Sequence, residues 1–152
     1  MAKFLAILIL SALGIFIVDQ NIKSLSLDGY RYYGEYIDLI LVFNKGVAFS
    51  MFAFLKEYLK WIQLALVSGV IIYIVVLKEI CYSVPAGFLI GAALSNVYDR
   101  FVHGGVVDMV YWHYGFDFAV FNFADVMIDV AVVWFIVLNF YPKLCKLKNN
   151  SV

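Results

Sequence analysis

Four long apolar stretches constrain this chain more than any other feature of its sequence. They cover about residues 4–23, 59–77, 84–102 and 119–141, and a helix that crosses a bilayer needs about 20 largely apolar residues. Only 14% of the 152 residues are charged and 65% are hydrophobic, whereas soluble domains have about 25% charged residues. The sequence therefore predicts an all-α membrane protein with four transmembrane helices in a single domain, residues 1–152.

The first apolar stretch, which follows Lys3, also has the pattern of a signal peptide. The polar residues after it contain no small-x-small cleavage site, so we interpret the stretch as a retained first span. Asp19 and Lys23 stand four residues apart at its far end, where opposite charges share one helical face. Taken alone, this spacing favours a solvated ion pair at the membrane interface.

The segment between the first two spans, residues 24–57, is rich in aromatic and β-branched residues. Tyr36–Phe43 and Val47–Phe52 have the composition of strands and are separated by Asn44, Lys45 and Gly46. This pattern predicts a small hairpin-like sheet on the membrane surface.

A second segment outside the spans, about 104–117, begins with a glycine pair that ends the third helix. Val106–Trp112 then has the composition of a short strand.

The lysines predict the orientation of the four spans. Both termini and the short 78–84 loop lie on one side and carry five lysines against one acid, which marks that side as cytoplasmic. Cys81 and Cys145 fall on the same side, where thiols stay reduced. Two isolated cysteines predict neither a disulfide framework nor a metal site. The lysines are Lys3, Lys78, Lys143, Lys146 and Lys148.

Polar residues gather in two Asn-x-x-Asp clusters at the third and fourth spans. Asn96 and Asp99 share one helical face, as do Asn122 and Asp125, because residues three apart are neighbours on a helix. Asp108 follows the glycine pair and can turn back over the end of the third span. Charges at bilayer depth cost roughly 2.5–3.5 kcal/mol each, so we expect these side chains to face one another inside the bundle.

Three classes of function remain open on these residues. Two carboxylates held close in a partly dry site share a proton and can activate water, as in aspartic proteases. Asp99, Asp108, Asp125 and Asp129 could instead bind a divalent cation in a lipid phosphotransferase. A transporter or channel subunit would place its polar residues along a path through the bilayer, but here all except Asp129 gather near one face. The zero net charge gives no indication of nucleic-acid binding.

Five motifs together resemble those of the lipoprotein signal peptidase (signal peptidase II) family, bacterial inner-membrane aspartyl proteases. They occur in the family's order over nearly the whole chain, at residues 19–23, 44–50, 95–100, 105–108 and 121–125. The resemblance implies a four-helix bundle with a small periplasmic sheet, the cradle, at about 24–57 and 104–117. It implies that both termini are cytoplasmic, that the active site lies near the periplasmic face, and that no metal or other cofactor is needed.

The resemblance also assigns roles to individual residues. Asp108 and Asp125 are the implied catalytic dyad, and the implied substrate is a diacylglyceryl-modified prolipoprotein cleaved just before its lipidated cysteine. A monomer surrounded by membrane lipid is the simplest expectation. The implied supporting residues are Asp19, Lys23, Asn44, Gly46, Asn96, Asp99, Arg100 and Asn122.

Two positions depart from the family pattern. Ser95 stands where the family has glycine, and Asp129 stands where it has a neutral polar residue. From its position one turn deeper than Asp125, we expect Asp129 to be a buried acid that is protonated or hydrogen-bonded. Neither departure removes a group that the chemistry needs.

Overall fold

Four long helices and a small sheet make up the computed structural model, which describes residues 1–46, 53–55 and 57–145. By length and apolar composition, all four helices can cross a membrane. The predicted all-α, four-span architecture is thus confirmed. The helices are α1 (Ala2–Leu27), α2 (Tyr58–Leu77), α3 (Ser83–Val102) and α4 (Phe123–Phe140).

The third helix, α3, is the centre of the bundle. In its most apolar window 61% of the residues are buried, against 11–22% in the other three helices. Helices α1, α2 and α4 each pack against α3. Because lipid rather than water surrounds such a bundle, the outer faces of these three helices carry exposed apolar side chains.

Close approach between α1 and α3 depends on two glycines of α3. A Cβ atom added at Gly91 would lie 2.2 Å from the Ala12 carbonyl oxygen, and one at Gly87 would lie 2.5 Å from the Ser11 Cβ. Both distances are far below van der Waals contact. The two glycines of α3 therefore form the surface on which α1 packs.

Replacing Gly91 with alanine is expected to lower the free energy of unfolding by about 1–3 kcal/mol, because the added methyl group forces the two helices apart. Thermal unfolding in detergent measures the effect. Gly69→Ala is the matched control, since a Cβ there meets nothing within 4 Å and alanine favours a helix. Equal melting temperatures for Gly91→Ala and the wild type would contradict the close contact.

The buried face of α1 is apolar in the first part of the helix and charged near its C-terminal end. Phe4, Leu8 and Ile15 are its buried apolar residues, and the same face continues with Asp19 and Lys23, both 0% exposed. The expectation of a solvated interfacial pair is therefore wrong. The two charges point into the bundle because they repeat the helical spacing of the apolar residues before them.

The sheet has three antiparallel strands in the order β1 (Tyr32–Tyr33), β2 (Ile37–Asn44) and β3 (Val106–Trp112). The strand predicted at Val106–Trp112 is confirmed with these bounds. Val42 of β2 is opposite Asp108 of β3, so the sheet joins the two segments outside the spans. The predicted hairpin strand Val47–Phe52 lies outside the described residues.

The fourth span begins later than the predicted residue 119. Phe121 forms a bridge with Val110 of β3, through backbone hydrogen bonds of 2.9 and 3.0 Å. The chain therefore runs beside the sheet before it turns into α4 at Asn122, the N-cap. Apolar composition alone cannot mark this boundary, because the extended residues are as hydrophobic as the helix.

The cysteines also differ from expectation, since Cys81 and Cys145 form a disulfide across 64 residues of sequence, with a Cα–Cα distance of 5.3 Å. Cys81 lies in a short 3₁₀ turn (Ile80–Tyr82) before α3, and Cys145 follows the end of α4. The prediction of two isolated thiols is wrong because α3 begins and α4 ends at the same end of the bundle.

Candidate active site

Asp108 lies on β3, just after the turn that ends α3. Gly104 makes that turn with a φ of +71°, a left-handed conformation that glycine adopts without strain. The Asp108 side chain is 1% exposed. Its two carboxylate oxygens accept hydrogen bonds from the Asn44 Nδ2 at 3.1 Å and the Asn122 Nδ2 at 2.7 Å. One Asp108 oxygen is thus held by Asn44 at the end of β2, and the other by Asn122, the N-cap of α4.

Asp125 occupies the third position of α4 and closes a capping box with Asn122. The Asp125 Oδ2 accepts from the Asn122 backbone N–H at 3.1 Å, and the Asn122 Oδ1 accepts from the Asp125 backbone N–H at 2.9 Å. This reciprocal pair satisfies two backbone donors at the helix start. The other oxygen of Asp125 accepts from the Asn96 Nδ2 at 2.9 Å.

Asn122 connects the two acids. Its Nδ2 donates to Asp108 and also to the Asn96 Oδ1, the latter at 3.1 Å, while its backbone and Oδ1 bind Asp125. The Asn122 side chain is 0% exposed, so this geometry cannot relax into solvent. The predicted clusters of the third and fourth spans therefore meet around one buried amide.

Both carboxyl groups open onto a single cavity of about 350 Å³. Asn44, Asn96 and Arg100 also line it, together with apolar residues of the segment before α4. A cavity of this size accommodates part of a peptide chain. Its wall is polar around the acids and apolar where the segment before α4 lines it.

Burial raises the pKa of Asp108 to about 6, and the nearby charge of Asp125 acts in the same direction. The hydrogen bonds from Asn44 and Asn122 and the charge of Lys23 oppose this shift. A carboxyl group with a pKa near 6 keeps a proton much closer to neutral pH than an ordinary aspartic acid. Asp108 thus has the raised pKa that the proton-carrying member of a catalytic carboxyl pair requires.

Lys23 is the cation beneath the acids and is fully buried. Its Nζ lies 2.6 Å from the Asp19 Oδ2 and 2.7 Å from the Asp99 Oδ2, and it donates to the Asn96 Oδ1 at 2.8 Å. An ammonium group has three donors, and all three are used. Lys23 thus fixes the oxygen of the Asn96 amide, whose nitrogen donates to Asp125.

Asp19 and Asp99 fix other elements to this cation. The Asp19 Oδ1 accepts from the Ala124 N–H in the first turn of α4 at 2.8 Å, where a negative charge also favours the helix dipole. The Asp99 Oδ2 accepts from the Val107 N–H at 3.1 Å, beside Asp108 on β3. The two carboxylates thus set the positions of the elements that carry the two candidate acids.

Arg100 reaches the end of β2. Its guanidinium donates to the carbonyl oxygens of Asn44, at 3.5 Å, and of Gly46. The Gly46 N–H in turn donates to the Asn44 Oδ1 at 3.0 Å, which leaves the Asn44 Nδ2 directed at Asp108. The structure therefore brings all ten predicted site residues into one connected set.

Two further residues, Ser95 and Gln20, belong to the network although neither is a predicted site residue. The Ser95 hydroxyl, 0% exposed, donates to Asp19 at 2.7 Å and accepts from the Gln20 Nε2 at 2.8 Å. Gln20 also donates to the Asp99 Oδ1 at 2.8 Å. The Ser95 hydroxyl thus links Asp19 to Gln20 and, through Gln20, to Asp99, contacts that a residue without this hydroxyl could not make. No local spacing predicts these contacts, because they join two different helices.

Asp129 does not have the environment expected for it. Its side chain is exposed rather than buried, and it lines the wall of the cavity below Asp125. Gln63, an interruption of the second span, lines the same wall from α2. The expectation of a buried acid is wrong because α2 and α4 leave a gap at this depth.

The four acids considered for a divalent cation do not gather into one set. No group of three or more His, Cys, Asp or Glu side chains is placed to share a metal ion within residues 1–46, 53–55 and 57–145. Asp99 has both oxygens bound to Lys23, Gln20 and the β3 backbone. It therefore does not face the cavity with Asp108 and Asp125.

The sequence and the fold both have known relatives. The chain is 72% identical to a lipoprotein signal peptidase of Sulfurimonas denitrificans, over 95% of this chain and 94% of that protein. It is 60% identical to one of Sulfurovum sp., over 90% and 94% respectively. It shares its fold with two solved bacterial membrane enzymes, at TM-scores of 0.76 and 0.72 and identities of 23% and 24%. These matches cover 90% of this chain and 88% of the first enzyme, and 86% and 90% for the second.

The family model described as "Signal peptidase (SPase) II" matches residues 11–141, a range that contains both candidate acids and the polar residues around them. Together with relatives of this identity along almost the whole chain, the match shows that this protein belongs to the signal peptidase II family of peptidases.

Proposed function

We propose that this protein removes the signal peptide of diacylglyceryl-modified prolipoproteins by cutting just before the lipidated cysteine, with Asp108 and Asp125 activating water. The observation that carries the proposal is the buried Asn122, which holds the two carboxyl groups at one cavity. The names of the relatives support the class of substrate. The end of the bundle at which the acids lie supports a scissile bond close to the membrane surface.

In the proposed reaction, one carboxyl group is ionised and the other is protonated. The ionised group removes a proton from water as the oxygen attacks the scissile carbonyl carbon, and the protonated group donates to the carbonyl oxygen. A tetrahedral intermediate forms. Its C–N bond then breaks as the nitrogen takes up a proton, which leaves a carboxyl terminus on the signal peptide and a free amine on the lipidated cysteine. The raised pKa of Asp108, about 6, supports a dyad that retains one proton.

The surrounding polar residues take supporting roles in this proposal. Asn96 and Asn122 order the dyad through their hydrogen bonds to its carboxyl oxygens. Asn44 orients Asp108, and Arg100 fixes the end of β2 next to the cavity. Lys23 neutralises the buried charges of Asp19 and Asp99. It also donates to Asn96, which keeps the Asn96 amide in place beside Asp125.

We place the chain in the bacterial cytoplasmic membrane as a monomer, with both termini in the cytoplasm. The five lysines at the termini and in the 78–84 loop support this orientation, and the sheet and the dyad then lie near the outer face. Cys81 and Cys145 face the cytoplasm in this arrangement.

The proposal predicts cleavage that needs the lipid on the substrate and no added metal. Purified protein in detergent should cut a synthetic diacylglyceryl prolipoprotein at the same rate with and without EDTA, as followed by gel shift or mass spectrometry. The same peptide without the diacylglyceryl group is the matched control and should stay intact. Loss of activity with EDTA and its return with Mg²⁺ would instead support the phosphotransferase class.

A further inference from the structure

The cavity at the dyad continues between α2 and α4. Both helices pack against α3, and no comparable contact joins them to each other in the described part of the chain. Gln63 of α2 and Ile128 and Asp129 of α4 line the cavity below the acids. A substrate chain that reaches Asp125 through this gap passes these three side chains.

Gln63 has an unused hydrogen-bonding group at this point. Its Oε1 is buried and has no hydrogen-bond partner among the described residues. Because this oxygen is inaccessible, the end of the amide that can meet a bound molecule at the cavity wall is the Nε2 group, a hydrogen-bond donor.

Asp129 of α4 is a second polar group without a partner in the described part of the chain, and it lies on the wall of this cavity. It makes no hydrogen bond or ion pair within the described residues, although it belongs to a membrane-spanning helix. Acids at bilayer depth usually face a cavity and serve a function there. Asp129 does face the cavity that contains the dyad.

We propose that Gln63 and Asp129 form a second polar subsite, one helical turn below the dyad, which binds a hydrogen-bond donor of the substrate's membrane segment. This inference rests on the proposed function, because the donor belongs to the signal peptide that is cut. The Asp129 carboxylate can accept a hydrogen bond from a hydroxyl group and the Gln63 Nε2 can donate one to it, so the two side chains together select serine or threonine over an alkyl side chain.

The spacing along α4 gives the position of the donor. Four residues of helix separate Asp125 from Asp129, which is about 6 Å along the helix axis. That length corresponds to about two residues of extended substrate or about four residues of helical substrate. The subsite is therefore specific for the side chain two to four residues before the cleaved bond.

The test compares kcat/KM for matched diacylglyceryl prolipoproteins that carry serine or alanine at each of these three positions. At one position the wild type should prefer serine by about five- to tenfold, the effect of one hydrogen bond. Gln63→Leu and Asp129→Leu should both bring that preference close to one. Asp129→Asn, which keeps an acceptor oxygen, should retain it.

The ratio of kcat/KM for the serine substrate to that for the alanine substrate is measured within each variant, so it does not depend on how much of the protein folds. Asp129 is exposed on its helix, and leucine there removes no packing. Ser68→Ala is the control on α2, because the Ser68 hydroxyl donates to its own helix at Leu64; it should keep the preference for serine.

A wild-type ratio of one at all three positions would overturn the subsite while leaving the peptidase function intact. Retention of the preference for serine in both leucine variants would also overturn it. Failure of the wild type to cut any lipidated substrate would contradict the proposed function itself, and the subsite with it.

Discussion

Replacing Asp108 with asparagine is expected to lower kcat/KM for a diacylglyceryl prolipoprotein by about 10³-fold or more. General acid–base catalysis contributes 10²–10⁴-fold in typical enzymes, and groups that act as a unit lose most of the rate when one is removed. Asparagine keeps the size of the side chain but can neither take up nor release the proton. Asp125→Asn should have an effect of the same order, and a cleavage assay with purified protein measures both.

The loss should come from chemistry and not from unfolding. Burial raises the pKa of Asp108 from 3.8 to about 6, so its protonated form is favoured in the folded protein. The free energy of unfolding is therefore highest, as far as Asp108 decides it, below pH 3.8, where this group is protonated in both the folded and the unfolded state. It decreases as pH rises through about 6, because the folded state must then bury a charge. A neutral asparagine avoids that cost. Asparagine also turns an N–H donor toward the Asn44 or Asn122 amide, which costs about 1–3 kcal/mol and opposes this gain. Asp108→Asn should therefore unfold close to the wild type above about pH 6.

Asp28→Asn is the matched control for this experiment. Asp28 follows the end of α1 and is exposed, and the same substitution there should leave cleavage unchanged. Turnover at the wild-type rate by Asp108→Asn or Asp125→Asn would exclude the proposed dyad.

The four spans were predictable because the bilayer imposes a length and a composition that are visible in the sequence. The strand Val106–Trp112 was predictable for a similar local reason, since a glycine pair precedes it. The start of α4 was not, because its position depends on the bridge between Phe121 and Val110. Nor was the proximity of Cys81 and Cys145, which lie 64 residues apart.

In the site, too, local features were predictable and contacts between distant segments were not. The Asn-x-x-Asp spacing placed Asn96, Asn122 and Asp125 on the correct helical faces, and the glycine pair before Asp108 placed that acid at the end of the third span. Neither source could show that Ser95 joins the network through its hydroxyl, because that contact needs Asp19 from another helix. Interactions within one helix turn can be deduced from spacing, whereas those between elements require the packed bundle.

The burial of Lys23 is the clearest example, and it leads to the largest expected effect on stability. Replacing Lys23 with methionine would leave Asp19 and Asp99, both 0% exposed, without their shared cation. Removing one partner of a buried ion pair typically costs about 3–5 kcal/mol, and methionine fills the space without supplying a donor. Thermal unfolding in detergent should show a large decrease in melting temperature.

Lys60→Met provides the matched control, because Lys60 pairs with Glu57, whose side chain is 74% exposed. A pair of this kind contributes about 1 kcal/mol or less, so the variant should unfold close to the wild type. Adding Asp99→Asn to Lys23→Met should recover part of the lost stability, since it removes one of the two unbalanced charges. Equal melting temperatures for Lys23→Met and Lys60→Met would mean that the buried cation does not hold α1, α3 and the start of α4 together.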